Sequence, residues 1–283
     1  MTTWKLTVEY DGSRYSGWQE QKNARTVEGE LRSAIQLLLG VVVQMQGSGR
    51  TDAGVHALCQ VAHVRVPGRP RVDERALLRE LNERLPTDIV VLSIEPAAPE
   101  FHARHNASAR VYLYRISTRK NAFAKRHVWW VKQALDVAAM AQAARLVAGR
   151  HDFRNFHAPD PARPDESTIV VVEKAEIECL GGEIRFRIQA SHFIWKMVRR
   201  VVGALVKVGL GELPPADFAR LIDEPAKFTL PVAEWTAPAS GLFLEEVRYP
   251  ERGPAPRKAP RGHVRVAFGG RAGSRLTRPR HGE

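Results

Sequence analysis

One glycine-rich loop carries the residues with the clearest chemical potential. The run Gly49-Arg50-Thr51-Asp52-Ala53-Gly54-Val55-His56 sets an arginine two residues before an aspartate. A turn uses Gly and Asp for backbone reasons alone, so a single loop aspartate is most often a turn former. If both side chains face one cleft, Arg50 would keep Asp52 ionised and could also bind a phosphate. An ionised carboxylate held in a crevice is a competent nucleophile, which makes Asp52 the first candidate.

A second basic element lies near residue 200. Lys196, Arg199, Arg200 and Lys207 follow the spacing i, i+3, i+4 and i+11, which places them on one face of a predicted helix. Such a charge run is most often a solvated helix face, and the alternative is a surface for a polyanion. Gly203 on the polar side lets another backbone or a ligand approach closely.

Tyr112 and Tyr114 occupy alternate positions of one predicted strand. Two tyrosines on a strand usually pack in the core or across strands. At a nucleic-acid site, however, a tyrosine can stack on an extruded base. Both interpretations remain open on the residues alone.

The familiar cofactor and metal motifs are absent from the sequence. Gly47-Ser48-Gly49 continues as Arg-Thr-Asp, so neither G-x-G-x-x-G nor a P-loop motif is met, which disfavours a nucleotide-dependent enzyme. The pair His102-x-x-His105 has no Cys or carboxylate companion, and Cys59 and Cys179 form no C-x-x-C motif. We therefore predict no metal and no cofactor.

The elements that must position these residues follow one order twice. In the first half we predict strand Trp4–Tyr10, a helix after the N-cap Thr26, strands Val41–Gln46 and Cys59–Val66, a helix after Asp73, and strand Asp88–Glu95. In the second half we predict strand Val111–Ser117, a helix from Asp136 to about Ala148, strands Thr168–Ile177 and Glu183–Ala190, a helix from about His192 to Val208, and strand Leu242–Tyr249. Two β-α-β-β-α-β units predict an α+β protein of two ferredoxin-like halves, residues 1–105 and 106–250.

Composition and charge separate the ends of the chain. The 283 residues are 44% hydrophobic and 26% charged, which is typical of globular proteins. Residues 251–283 hold nine Lys or Arg and two Asp or Glu, so they carry +7 of the formal net charge of +12. This Gly- and Pro-rich stretch is predicted to be a disordered tail, either attracted to polyanions or merely solubilising. We find no membrane span and no signal peptide, and we expect a cytoplasmic location.

Five ordered motifs within residues 4–250 resemble the TruA-type tRNA pseudouridine synthases. They are Tyr10-Asp11-Gly12-Ser13 with Gly17-Trp18-Gln19, the loop Gly49–His56, Phe101-His102-Ala103-Arg104 followed by Tyr112, Phe193 with Met197-Val198-Arg199, and Ala237-Pro238-Ala239 with Gly241-Leu242. The resemblance implies the pseudouridine synthase fold, with a mixed, largely antiparallel sheet and a cleft between the halves.

The resemblance also implies roles for individual residues. Asp52 occupies the position of the family's nucleophile. Tyr112 occupies the position of a tyrosine that, in the family, stacks on the target uracil and can serve as general base. Arg199 matches the arginine that pairs with the aspartate, and Arg50 matches one that engages the phosphate of the flipped nucleotide. Further RNA contacts are predicted at Arg104, Lys196 and Arg200.

The implied reaction converts uridine to pseudouridine at positions 38, 39 or 40 of the tRNA anticodon stem-loop, in a homodimer without cofactor. This isomerisation imports no group, but it requires a stacked nucleotide to be flipped out, which costs a few kcal/mol. Glu166-Ser167-Thr168-Ile169 departs from the family, which often has arginines there. A non-catalytic RNA-binding protein of the same fold is the competing hypothesis, although it leaves a carboxylate in a basic loop unexplained.

Overall fold

The computed structural model describes residues 1–70, 72–160 and 165–250, and the predicted tail at 251–283 lies outside them. These residues form ten strands and five α-helices. The first half contains β1 (Thr2–Tyr10), α1 (Val27–Leu39), β2 (Gln44–Gly47), β3 (His56–Val66), α2 (Glu74–Arg84) and β4 (Ile89–Ala97). The second contains β5 (Ala109–Ser117), β6 (Trp129–Trp130), α3 (Val137–Leu146), β7 (Gly149–Asp152), β8 (Ile169–Leu180), β9 (Glu183–Ala190), α4 (Met197–Gly209), α5 (Pro215–Asp223) and β10 (Leu242–Arg248).

Both halves have the same strand order. In the first, β4 pairs with β1, β1 with β3, and β3 with β2. In the second, β10 pairs with β5, β5 with β9, and β9 with β8, so each half has the ferredoxin-like order 4-1-3-2. The predicted duplication and the α+β class are confirmed, while the boundary between residues 105 and 106 stays a prediction.

The sequence signals at the helix starts act as predicted in the first half. Thr26 accepts a hydrogen bond from the backbone N–H of Gly29, and Asp73 accepts from those of Arg75 and Ala76. Each cap satisfies a donor that the first turn leaves unpaired. Gly40 ends α1 in the left-handed conformation, which costs glycine nothing.

Three elements of the second half were not predicted. Strands β6 and β7 are too short to show a periodic pattern, with two and four residues. Helix α5 had a readable signal, since Pro215 occupies its first turn and Phe218, Leu221 and Ile222 are buried at helical spacing. Helix α4 begins at Met197 and not near His192, because Lys196 adopts a left-handed φ of 61° that an α-helix does not accommodate.

The two halves of the sheet are joined where strand β3 of the first pairs with β10 of the second. The last residues of β3 pair with β2, from Ala62 to Arg65, whereas His56 and Ala57 on the same edge pair in parallel with Phe243 and Leu244 of β10. The loop from 48 to 55 connects β2 to β3, so it must lie where the halves meet. The other pairings among these strands are antiparallel apart from β5–β6, which gives the mixed, largely antiparallel sheet that was predicted.

Each half has its own hydrophobic core. Trp18, Leu31 and Leu81 are fully buried in the first, and Phe156, Phe186 and Phe218 are fully buried in the second. Tyr112 of β5 packs against both cores, which places it at the junction. Among the described helices, none combines the length and the apolar character that a bilayer crossing would require.

Candidate active site

A cleft of about 650 Å³ opens at the junction, beside the loop from 48 to 55. Six of the seven predicted site residues line it: Arg50, Asp52, Arg104, Tyr112, Lys196 and Arg199. They come from the loop, the segment before β5, strand β5 and the start of α4. The duplicated fold therefore brings together residues that lie up to about 150 positions apart in the chain.

Asp52 presents its carboxylate to two donors in this cleft. Arg199 Nη1 donates to Oδ2 at 3.2 Å, and the indole Nε1 of Trp195 donates to Oδ1 at 3.0 Å. The Asp52 side chain is 25% exposed, so it is held by the protein and still open to a ligand. A carboxylate with a guanidinium partner in a cleft is suited to nucleophilic or electrostatic work on a bound substrate.

Arg50 does not pair with Asp52, contrary to the expectation from their spacing. Its Nη1 lies 3.8 Å from a carboxylate oxygen of Asp160, and its Nε donates to Gln19 Oε1 at 3.3 Å. The intervening Thr51 turns inward and shares a 2.7 Å hydrogen bond with the Tyr10 hydroxyl. The charge partner of Asp52 is Arg199.

The loop is fixed by backbone contacts from the first motif of the chain. Trp18 donates its N–H to the carbonyl of Thr51, and Gly54 donates to the carbonyl of Tyr15. A Cβ on Gly17 would lie 2.6 Å from the Thr51 carbonyl oxygen, and its φ is +96°. Only glycine suits both conditions, which accounts for Gly17-Trp18 beside the loop.

Arg199 is held by the segment before β10. Its Nε donates to the Ala237 carbonyl at 2.7 Å, and Ala237 returns a hydrogen bond from its N–H to the Arg199 carbonyl at 3.0 Å. This contact depends on Gly203, where a Cβ would lie 1.7 Å from the carbonyl oxygen of Trp235. The predicted close approach at Gly203 is thus made by a backbone, and it orients the arginine that meets Asp52.

Tyr112 lies between its neighbours Ile188 of β9 and Leu244 of β10. Its ring meets Phe193 edge to face, with centroids 5.0 Å apart. Burial, and then the negative charge of Asp52, raise the pKa of Tyr112 to about 12. The phenol is therefore neutral at physiological pH, with its hydroxyl able to donate.

Arg110 is a site residue that the sequence analysis missed. Its buried guanidinium donates to the backbone carbonyls of Ser48 at 2.8 Å, Arg104 at 2.7 Å and Ser191 at 2.6 Å. Burial lowers its pKa. The side chain ties together three segments that border the cleft, and no residue pattern distinguishes an arginine bound to carbonyls from one that faces RNA.

Of the remaining predicted RNA contacts, Lys196 lines the cleft and Arg200 does not. Lys196 sits at the start of α4 with its ammonium 5.1 Å from the centre of the Trp195 ring. Arg200 does not line the cleft; its Nη1 donates to the carbonyl of His157 and its Nε is buried. Glu166, which replaces an expected arginine, lines the cleft with an oxygen 3.9 Å from His157 Nε2.

The chain forms two ferredoxin-like halves that are joined edge to edge, which is the pseudouridine synthase fold. The cleft at their junction holds an aspartate bound by an arginine. A family model described as tRNA pseudouridine synthase matches residues 6–106 and 143–250, more than half of the chain. A protein of Beijerinckia indica named tRNA pseudouridine synthase A is 38% identical over 89% of this chain and 96% of its own. One of Bacillus cereus, named tRNA pseudouridine synthase A 2, is 34% identical over 88% of this chain and all of its own.

A third relative, tRNA pseudouridine synthase A of Rhodospirillum rubrum, is 38% identical over 92% of both chains. The chain belongs to the family of TruA-type tRNA pseudouridine synthases, and it is an enzyme of the isomerase class.

Proposed function

We propose that this enzyme converts uridine to pseudouridine at position 38, 39 or 40 of the tRNA anticodon stem-loop, with Asp52 as the nucleophile. The observation that carries the proposal is the Asp52 carboxylate, held at 3.2 Å by Arg199 and open to the cleft. In the reaction the C1′–N1 glycosidic bond of the uridine breaks and a C1′–C5 bond forms. The proton on C5 leaves the ring and N1 takes up a proton from solvent, so the atoms balance and no oxidant or imported group is needed.

The residues around Asp52 supply the remaining requirements. The flipped nucleotide needs a platform, and the Tyr112 ring, supported by Phe193, offers one. Its phosphate needs a cation, and Arg50 is half-exposed at the rim of the cleft. A neutral phenol beside a carboxylate can relay a proton between C5 and solvent, which gives Tyr112 a second task. Arg104 and Lys196 add positive charge to the lining of the same cleft.

The deciding experiment uses tRNA labelled with tritium at uracil C5, because pseudouridine formation releases that label to water. We expect release by the native protein and none by Asp52→Ala, with tRNA binding retained in a filter assay. Asp217→Ala, on α5 and not among the residues that line the cleft, serves as the matched carboxylate control and should behave as the native protein does. Release by Asp52→Ala would contradict the nucleophile assignment.

The same experiment distinguishes the proposed enzyme from the competing hypothesis. A non-catalytic RNA-binding protein of this fold would bind tRNA and release no label in any variant. Sequencing of pseudouridine in treated tRNA would identify the modified position, and modification outside 38–40 would contradict the site assignment. We further propose that the enzyme is a cytoplasmic homodimer. Light scattering of the purified protein tests the dimer by its mass, and fractionation of its cells tests the location.

A further inference from the structure

Trp195 is a second donor to Asp52, and the proposed reaction gives it no role. Trp195 Nε1 lies 3.0 Å from Oδ1, on the oxygen that Arg199 leaves unoccupied. One donor alone leaves a carboxylate free to rotate about its Cβ–Cγ bond. Two donors on different oxygens fix the plane of the group, which is the orientation a nucleophile must keep.

The backbone at Trp195 is built to hold this position. The Trp195 carbonyl accepts a hydrogen bond from the Ala158 N–H at 3.0 Å. Ile194 and Met197 on either side are buried in the core, so the turn is anchored at both ends. Between them, Lys196 has a φ of 61° and is the single non-glycine residue with positive φ in the described part of the chain. Strain of this kind persists only where surrounding contacts over-determine it, and it is common beside reactive groups.

The Trp195 side chain itself is exposed to 40%, although it is large and apolar. Its ring contributes little to the core, and its polar N–H is directed at the carboxylate. The strained turn thus presents the indole N–H to Asp52.

We propose that Trp195 is a positioning residue for Asp52: its indole N–H holds Oδ1 and keeps the carboxylate in one plane while the nucleotide enters the cleft. The inference rests on the function proposed above. An exposed aromatic ring at such a cleft could alternatively stack on RNA, and the variants below distinguish the two roles.

Three substitutions of Trp195 distinguish the contribution of the indole N–H from that of the aromatic ring. Trp195→Phe keeps an aromatic ring and removes the donor, and Trp195→Ala removes both. Trp195→His restores a donor, because Nε2 of histidine and Nε1 of tryptophan stand two bonds from Cγ in equivalent five-membered rings. We expect Trp195→Phe to lower kcat by about 10- to 100-fold, the rate equivalent of one hydrogen bond to a charged group, with KM for tRNA nearly unchanged. Trp195→His should recover most of that loss.

The proposal is overturned if Trp195→Phe turns over at the native rate. It is also overturned if only Trp195→Ala is impaired and the impairment is a higher KM for tRNA. The latter result would identify a stacking surface for RNA. Loss in Trp195→Phe without recovery in Trp195→His would also count against the donor role.

A second measurement does not depend on activity. In spectra of protein labelled with ¹⁵N at its six tryptophans, the indole signal that Trp195→Phe removes should be the one that shifts most in Asp52→Asn. Absence of that shift refutes the contact even if the enzyme is active. A native protein that releases no tritium, but has the shift, refutes the proposed function and leaves the contact intact.

Discussion

Gly203→Ala tests whether the active site depends on one close backbone approach. The added methyl group would lie 1.7 Å from the Trp235 carbonyl oxygen, so that backbone must retreat by roughly 1.5 Å to reach an ordinary contact distance. The same segment holds Arg199 through two hydrogen bonds with Ala237, of 2.7 and 3.0 Å. A retreat of that size removes both bonds and releases the guanidinium that meets Asp52.

The expected effects on stability and on rate are both substantial. Alanine gains about 1 kcal/mol of helix propensity over glycine, but forced overpacking costs about 1–3 kcal/mol and each lost hydrogen bond costs about 1–3 kcal/mol, so the variant should unfold at clearly lower denaturant. A displacement of about 1 Å near a reacting group can lower the rate by about 100-fold. We expect that loss in kcat, measured by tritium release per folded molecule at a temperature where the variant is folded.

Gly209→Ala is the matched control on the same helix. Its Cβ would lie 2.6 Å from the sulfur and 2.8 Å from Cγ of Met140, a fully buried side chain that packs away from the cleft. Overpacking should therefore lower the stability by about 1–3 kcal/mol, as in Gly203→Ala, while kcat stays native. If Gly203→Ala is folded and fully active, or if Gly209→Ala loses as much activity, Arg199 is not positioned in the way described.

Three further predictions follow from the site and its surroundings. Tyr112→Phe keeps the ring proposed to stack on the base and removes the hydroxyl, so turnover should fall by about 100-fold with little change in tRNA affinity; equal rates would restrict Tyr112 to stacking. Deletion of residues 251–283, which carry +7, should weaken tRNA binding at low salt and flatten the slope of log K against log salt, and an unchanged slope would refute a role for the tail. Burial lowers the pKa of His63 to about 4, below its value near 6.5 in an unfolded chain, so the folded state resists protonation. The His63 contribution to stability should therefore fall by roughly 3 kcal/mol as pH drops from about 6.5 to about 4. His63→Gln should remove that share of the slope in denaturant titrations and leave the share of His56 and His102, whose pKa values burial also lowers.

The sequence by itself determined most elements of the fold and the order they follow in each half. Alternating apolar residues and side-chain caps act over a few neighbouring positions, so strand β1, helix α1 and the loop around Asp52 could be predicted locally. The motifs also identified most of the cleft residues, including Tyr112 and Arg199. Elements without a periodic pattern, such as β7, could not be found in this way.

Only the tertiary structure decided which groups meet. The spacing of Arg50 and Asp52 indicated an ion pair, but Thr51 turns into the core and the partner is Arg199, 147 positions away, which no local pattern indicated and only the family resemblance implied. Trp195 and Arg110 acquired their roles in the same manner, from segments distant in sequence. The physical reason is that local patterns fix backbone conformation over one or two turns, whereas a side chain's partner depends on how two ferredoxin-like halves pair along β3 and β10.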